Sequence, residues 1–120
     1  LFLSSYKSLC INNKKIFTID HNNNILYVYS LDGILITKWN CSIIDNYKFG
    51  HLKMEIHKDN IYLCDSQVDK ITVFTFFGEK LFEITNKLIR FCPNIIVLHD
   101  YLFIFSTYSS KIHQFKLRYI

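Results

Sequence analysis

The sequence predicts an all-β chain built of four-stranded antiparallel meanders, the blades of a β-propeller, with almost no helix. Three observations carry that expectation. The segment Ile16–Gly33 (IFTIDHNNNILYVYSLDG) aligns without a gap on Ile61–Gly78 (IYLCDSQVDKITVFTFFG), an offset of 45 residues. A third copy, Leu102–Leu117 (LFIFSTYSSKIHQFKL), follows the second at an offset of 41. A period of about 40–45 residues made of short strands marks a propeller blade or a related array. The strands are also apolar on both faces, as sheets stacked face to face around an axis require. Finally, no segment sustains the 3.6-residue apolar period of a helix.

The elements follow in order within each copy. Leu9 and Ile11, Met54 and Ile56, and Ile95 and Val97 are apolar pairs two residues apart, each on one face of a first strand. Asn12-Asn13-Lys14, Lys58-Asp59-Asn60 and His99-Asp100 then supply residues that tolerate tight turns. Second strands are expected at Ile16–Ile19, Ile61–Cys64 and Leu102–Phe105. Polar loops lead to third strands at Leu26–Leu31, Ile71–Phe76 and Ile112–Leu117. Asp32-Gly33 is a strong hairpin signal, with Phe77-Gly78 at the equivalent place. Fourth strands are expected at Ile34–Trp39 and Lys80–Ile84. The whole chain, 1–120, thus reads as one partial propeller. Its blades run about 7–40, 52–85 and 93–120.

Length and composition narrow the class. At 120 residues, half of them hydrophobic, the chain holds one domain at most and is too apolar for disorder. No apolar run reaches the about 18 residues of a membrane span. The start, LFLSSYKSLCI, lacks a signal peptide's charged region and cleavage pattern. It also lacks an initiator Met, which suggests a processed chain or part of a longer one. Cys10, Cys41, Cys64 and Cys92 have no zinc-type spacing. They read as reduced, mostly buried thiols of a cytoplasmic protein, although an even count leaves disulfides open. A net charge of +4 is mild, with Lys7, Lys14 and Lys15 as the main basic cluster and Lys87 with Arg90 as a weaker one. A nucleic-acid footprint is normally more concentrated.

The segment Tyr47–Phe82 resembles an NHL repeat. The features that carry the likeness are Ile56, Ile61-Tyr62-Leu63-Cys64-Asp65, Lys70-Ile71-Thr72-Val73-Phe74 and Gly78. The first copy keeps Asp20 and Asp32-Gly33 but has Ile25 where the basic residue should stand. The third keeps Lys111-Ile112 and Phe115 but loses the Asp and the Gly. The resemblance implies a ring of typically six blades, of which this chain would supply two and part of a third. Closure then needs further blades or a second copy, with Leu1–Leu3 pairing onto the last blade. It also implies binding rather than catalysis, although some related propellers are metal-dependent lyases.

Candidate chemistry is sparse. Asp20 and Asp65 end the second strands, where they are expected to accept hydrogen bonds from loop amides. His51 and His57 flank Glu55, a weak metal pattern in a segment that Gly50 marks as a loop. No nucleophile elbow, phosphate loop or zinc-protease motif occurs, so neither catalytic residues nor a cofactor are expected. Most aromatics at strand spacing are expected in the core, with Phe77, Tyr47 and Tyr108 the better exposed and Trp39 packing blade to blade. The binding surface is therefore expected in three equivalent loops: His21, Asn22, Asn23 and Asn24; Ser66, Gln67, Asp69 and Lys70; and Tyr108 with Lys111. A protein is the expected partner. RNA is the alternative, through Lys70 and Lys111 on a basic rim.

Overall fold

The computed structural model describes residues 6–20, 24–41, 52–65, 69–89, 94–106 and 110–117. Three antiparallel sheets account for nearly all of them. The first holds β1 (Tyr6–Asn12), β2 (Lys15–Asp20), β3 (Ile25–Ser30) and β4 (Leu35–Asn40), paired in chain order. The second holds β5 (Leu52–His57), β6 (Asn60–Asp65), β7 (Lys70–Thr75) and β8 (Lys80–Thr85) in the same arrangement. The third holds β9 (Asn94–Leu98), β10 (Tyr101–Ser106) and β11 (Lys111–Lys116). A short 3-10 turn, Lys87–Ile89, leads from the second sheet towards the third. The proposed pairing strand Leu1–Leu3 lies outside the described residues.

The repeat extends to fine geometry. The first turns are tight, with Asn13, Lys14, Lys58, Asp59 and His99 all at positive φ. Both complete sheets carry a register shift at the same repeat position, between Val28 and Tyr29 and between Val73 and Phe74. The turn that follows differs from expectation. The third strands end at Ser30 and Thr75 rather than running to Leu31 and Phe76. The reason is a hydroxyl at equivalent positions. Ser30 Oγ accepts from Ile34 N–H at 3.2 Å, and Thr75 Oγ1 from Glu79 N–H at 3.0 Å. The Gly33 and Gly78 amides donate back to the Ser30 and Thr75 carbonyls, each at 3.0 Å.

The core lies between the sheets, in two layers. Phe17, Ile19, Leu26 and Val28 of the first sheet meet Met54, Ile56, Ile61, Leu63 and Phe74 of the second. Tyr62, Cys64, Ile71 and Val73, on the opposite face of that second sheet, meet Ile95, Val97, Leu102 and Ile104 of the third. The middle sheet is therefore sealed on both faces, because its alternating positions are apolar in both phases. Ile89, fully buried, plugs the second layer from the 3-10 turn.

Trp39 ties the first layer together. Its ring lies 4.9 Å from that of Phe74, and its Nε1–H donates to the Phe76 carbonyl at 3.1 Å. Phe76 stands edge-on to Phe17, with ring centroids 6.1 Å apart. The first strands run side by side, β1 next to β5 and β5 next to β9. They form the inner edge of the stack, and β4 and β8 the outer.

Candidate binding rims

A meander puts the β1–β2 and β3–β4 turns at one end of a sheet and the β2–β3 loop at the other. Two contacts show that like ends lie together across the stack. Lys58 Nζ reaches Asp100 Oδ1 at 3.6 Å, joining the first turns of the second and third sheets. Lys15 Nζ lies 5.5 Å from the centre of the Phe76 ring, joining the first sheet's β1–β2 turn to the second sheet's outer turn. One rim is thus made of turns. At the other, β2, β6 and β10 end and β3, β7 and β11 begin.

Of the residues expected to bind, Asn24, Asp69, Lys70 and Lys111 are described, and they stand at these strand ends. Asn24, Asp69 and Ser110 close the three loops in the same left-handed conformation, with φ of 54°, 56° and 55°. Asn24 is buried. Its carbonyl accepts the Cys41 N–H at 2.8 Å and the Cys41 thiol at 3.1 Å. The Asp69 carbonyl accepts the Asn86 amide at 3.0 Å, and Asn86 Oδ1 in turn caps the Leu88 N–H at 2.9 Å. Lys70 directs its ammonium at Glu83 Oε2, 3.6 Å away. Lys111 is exposed. His21, Asn22, Asn23, Ser66, Gln67 and Tyr108 lie outside the described residues, as do Tyr47, His51, Cys92 and Arg90.

Titration follows these contacts. Lys80 hydrogen-bonds Glu83, and with Lys70 beside it the Glu83 carboxyl is held below its ordinary value. Burial raises Glu55 on the inner strand β5. Cys10, on the neighbouring strand β1, is raised by burial and then by the Glu55 charge, against a hydrogen bond from the Ile56 backbone. Burial pushes the Cys41 thiol up to about 12. Asp20 and Asp65 are buried at the strand ends, each engaged within the chain. Among the described residues, no three His, Cys, Asp or Glu side chains stand together as metal ligands.

The turn rim carries a feature that sequence reasoning had only among its candidates. Phe77 is 79% exposed, its ring edge-on to Phe76 at 5.1 Å. The hydroxyl-anchored turn lifts it out of the strand. The signal for that turn is the Ser30–Thr75 equivalence, which the alignment contains.

Stacked antiparallel meanders around a common inner edge define a β-propeller segment, and known structures agree. Virginiamycin B lyase from Staphylococcus aureus superposes with a TM-score of 0.59 at 16% identity, over 95% of this chain and 42% of that one. A catalytically inactive form of that enzyme with quinupristin gives the same score and identity over 97% of this chain. A streptogramin B lyase structure matches at 0.59 and 12% identity, over 95% of this chain and 41% of that one. The chain therefore spans less than half the length of these structures, and the likeness is one of fold. No protein-family model matches the sequence, and no curated protein matches it.

Proposed function

We propose that this chain is a non-catalytic, NHL-like propeller segment that binds a protein partner through its loop rim. The observation that carries the reading is the shared conformation of Asn24, Asp69 and Ser110. Three loops of variable sequence stand on one repeated backbone frame, as binding loops stand on a rigid scaffold. The contact residues would be His21–Asn24, Ser66, Gln67, Asp69, Lys70, Tyr108 and Lys111. The Glu83 partner of Lys70 weakens the basic rim that RNA would need, which favours a protein. The sequence motifs supply no nucleophile or acid–base pair for the lyase chemistry of the structural neighbours.

Affinity capture with the intact chain, Lys111→Glu and Phe77→Ala tests the reading. Lys111→Glu should weaken partner capture several-fold, as charge reversal at a rim does, and Phe77→Ala on the opposite rim should leave it intact. Loss with Phe77→Ala alone would move the site to the turn rim. Capture of RNA, with an affinity falling steeply as salt rises, would replace the protein partner with a nucleic acid.

A further inference from the structure

Two consecutive blades make the same outer turn, and only one of them carries a carboxylate in it. Asp32-Gly33 and Phe77-Gly78 stand 45 residues apart at equivalent places in the repeat. Both glycines are left-handed, and the amide of each donates at 3.0 Å to the carbonyl of the hydroxyl residue that opens the turn, Ser30 or Thr75. The glycines of the chain follow Asp32, Phe49 and Phe77, so Asp32-Gly33 is its one Asp-Gly step.

The surroundings of the two turns differ as well. Asp32 and Gly33 are both exposed, and a Cβ placed on Gly33 would meet nothing within 4 Å. Among the described residues, no cation pairs with the Asp32 carboxylate. At Gly78 the same Cβ would meet the Trp39 ring at 2.7 Å. Glycine has no side chain to shield its nitrogen. The aspartate side chain has the length that brings its Cγ to the next residue's nitrogen in a five-membered ring. Asp59, Asp65, Asp69 and Asp100 are each followed by a residue with a side chain, which crowds that nitrogen.

We propose that Asp32-Gly33 is a site of spontaneous aspartate isomerisation, confined to the outer turn of the first blade. The Gly33 nitrogen attacks Asp32 Cγ and forms a C–N bond. The carboxyl hydroxyl and the amide proton leave as water, and a cyclic imide remains. Water then adds to one of the two imide carbonyls. Addition at Cγ breaks the new bond and restores aspartate. Addition at the backbone carbonyl breaks the original peptide bond, so the chain now runs through Cβ and Cγ. One water is released and one consumed, so the mass is unchanged and nothing is oxidised or reduced. The turn governs the rate. The Gly33 amide must leave the Ser30 carbonyl before it can react, so the step draws on the fraction of turns that open locally. Ser30 Oγ, which accepts the Ile34 N–H at 3.2 Å, helps to set that fraction. The product has one more atom in its main chain, which displaces Ile34 from Ser30 Oγ. Strand β4 follows directly and holds Trp39 on the second blade through the Phe76 carbonyl. Isomerisation therefore loosens the joint between the first two blades.

Peptide mapping of the whole chain, aged at neutral pH in heavy-oxygen water with circular dichroism to follow folding, tests this. The Asp32 peptide should gain heavy oxygen and split into two chromatographic forms, one of them a substrate for protein isoaspartate methyltransferase. The peptide with Phe77-Gly78 should do neither, and those with Asp59, Asp65, Asp69 and Asp100 should lag well behind. Ser30→Ala should speed conversion by about two- to tenfold, the effect of one lost hydrogen bond on opening of the turn. Asp32→Glu, whose longer side chain would need a larger ring, should abolish it. Trp39 emission should move to longer wavelength in proportion to the converted fraction. An Asp32 peptide that stays unconverted in both the parent chain and Ser30→Ala, while the same peptide cut free converts, would overturn the proposal. Conversion spread evenly over the aspartates would do the same, as would equal rates in the parent chain and Ser30→Ala.

Discussion

Gly33 and Gly78 occupy the same place in two consecutive blades and differ in one respect, which makes them a controlled pair. Both are left-handed, with φ of 84° and 91°. An alanine Cβ at Gly33 would meet nothing within 4 Å, whereas at Gly78 it would lie 2.7 Å from Trp39 Cγ and Cδ2. Gly33→Ala therefore bears only the backbone cost of a left-handed non-glycine residue, about 1–2 kcal/mol. Gly78→Ala adds a displacement of the indole by about 1 Å to reach ordinary carbon contact at about 3.5–4.0 Å. Trp39 cannot recede freely, being held by the Phe76 carbonyl and the Phe74 ring. Overpacking of this kind costs about 1–3 kcal/mol more. Urea denaturation reads the difference. At a slope of about 1–3 kcal/mol/M, the Gly78→Ala midpoint should fall below that of Gly33→Ala by about 1 M. Trp39 is the single tryptophan, so its emission reports on the same joint. Replacing Trp39 with Leu first should reduce the cost of Gly78→Ala to that of Gly33→Ala. Equal midpoints for the two alanine variants would refute the seating of Trp39 on the second blade.

The other expectations concern the turns, the thiols and the inner carboxylates. Thr75→Val and Ser30→Ala each remove the acceptor for one turn amide and should cost about 0.5–1.5 kcal/mol, read from denaturation midpoints. Cys41, with its thiol pushed up to about 12 and buried, should resist alkylation at neutral pH in the folded chain and react once urea unfolds it, as mass spectrometry of peptides would show. Glu83 is held low, so its contribution is present above the ordinary value of 4.5 and disappears as pH falls through the lowered one. Glu83→Gln should therefore destabilise by about 0.5 kcal/mol at neutral pH, the scale of an exposed ion pair, and the gap should close in acid. Glu55 is raised by burial, so the fold gains when it is protonated and loses that gain as pH rises through the raised value. Glu55→Gln should stabilise the chain at neutral pH and match the parent chain below pH 4.5, both measured as thermal midpoints across a pH series.

The blades were legible because their cause is local. Alternating apolar residues in both phases, as in Ile61-Tyr62-Leu63-Cys64, require two covered faces, and the structure gives that strand both layers of the core. What alternation does not encode is which face has a neighbour. Leu9 and Met54 are read alike from sequence, yet one is open and the other sealed, because the difference lies in how many blades stand beside them. The loop residues were harder for a related reason. Lys70 looks like a free rim cation until the register of β7 against β8, with Lys70 opposite Thr85 and Thr72 opposite Glu83, puts a carboxylate diagonal to it. Asn24 looks like a polar loop tip until its backbone is seen to bond Cys41, seventeen residues on. In each case the missing information is a non-local pairing. The repeat supplies a way to recover it. A residue whose equivalent in the middle blade is buried or paired, but which is itself exposed, points to a surface that a further blade would complete. Leu9, Ile11, Phe105 and Ile112 meet that criterion, and they lie on the two ends of the stack.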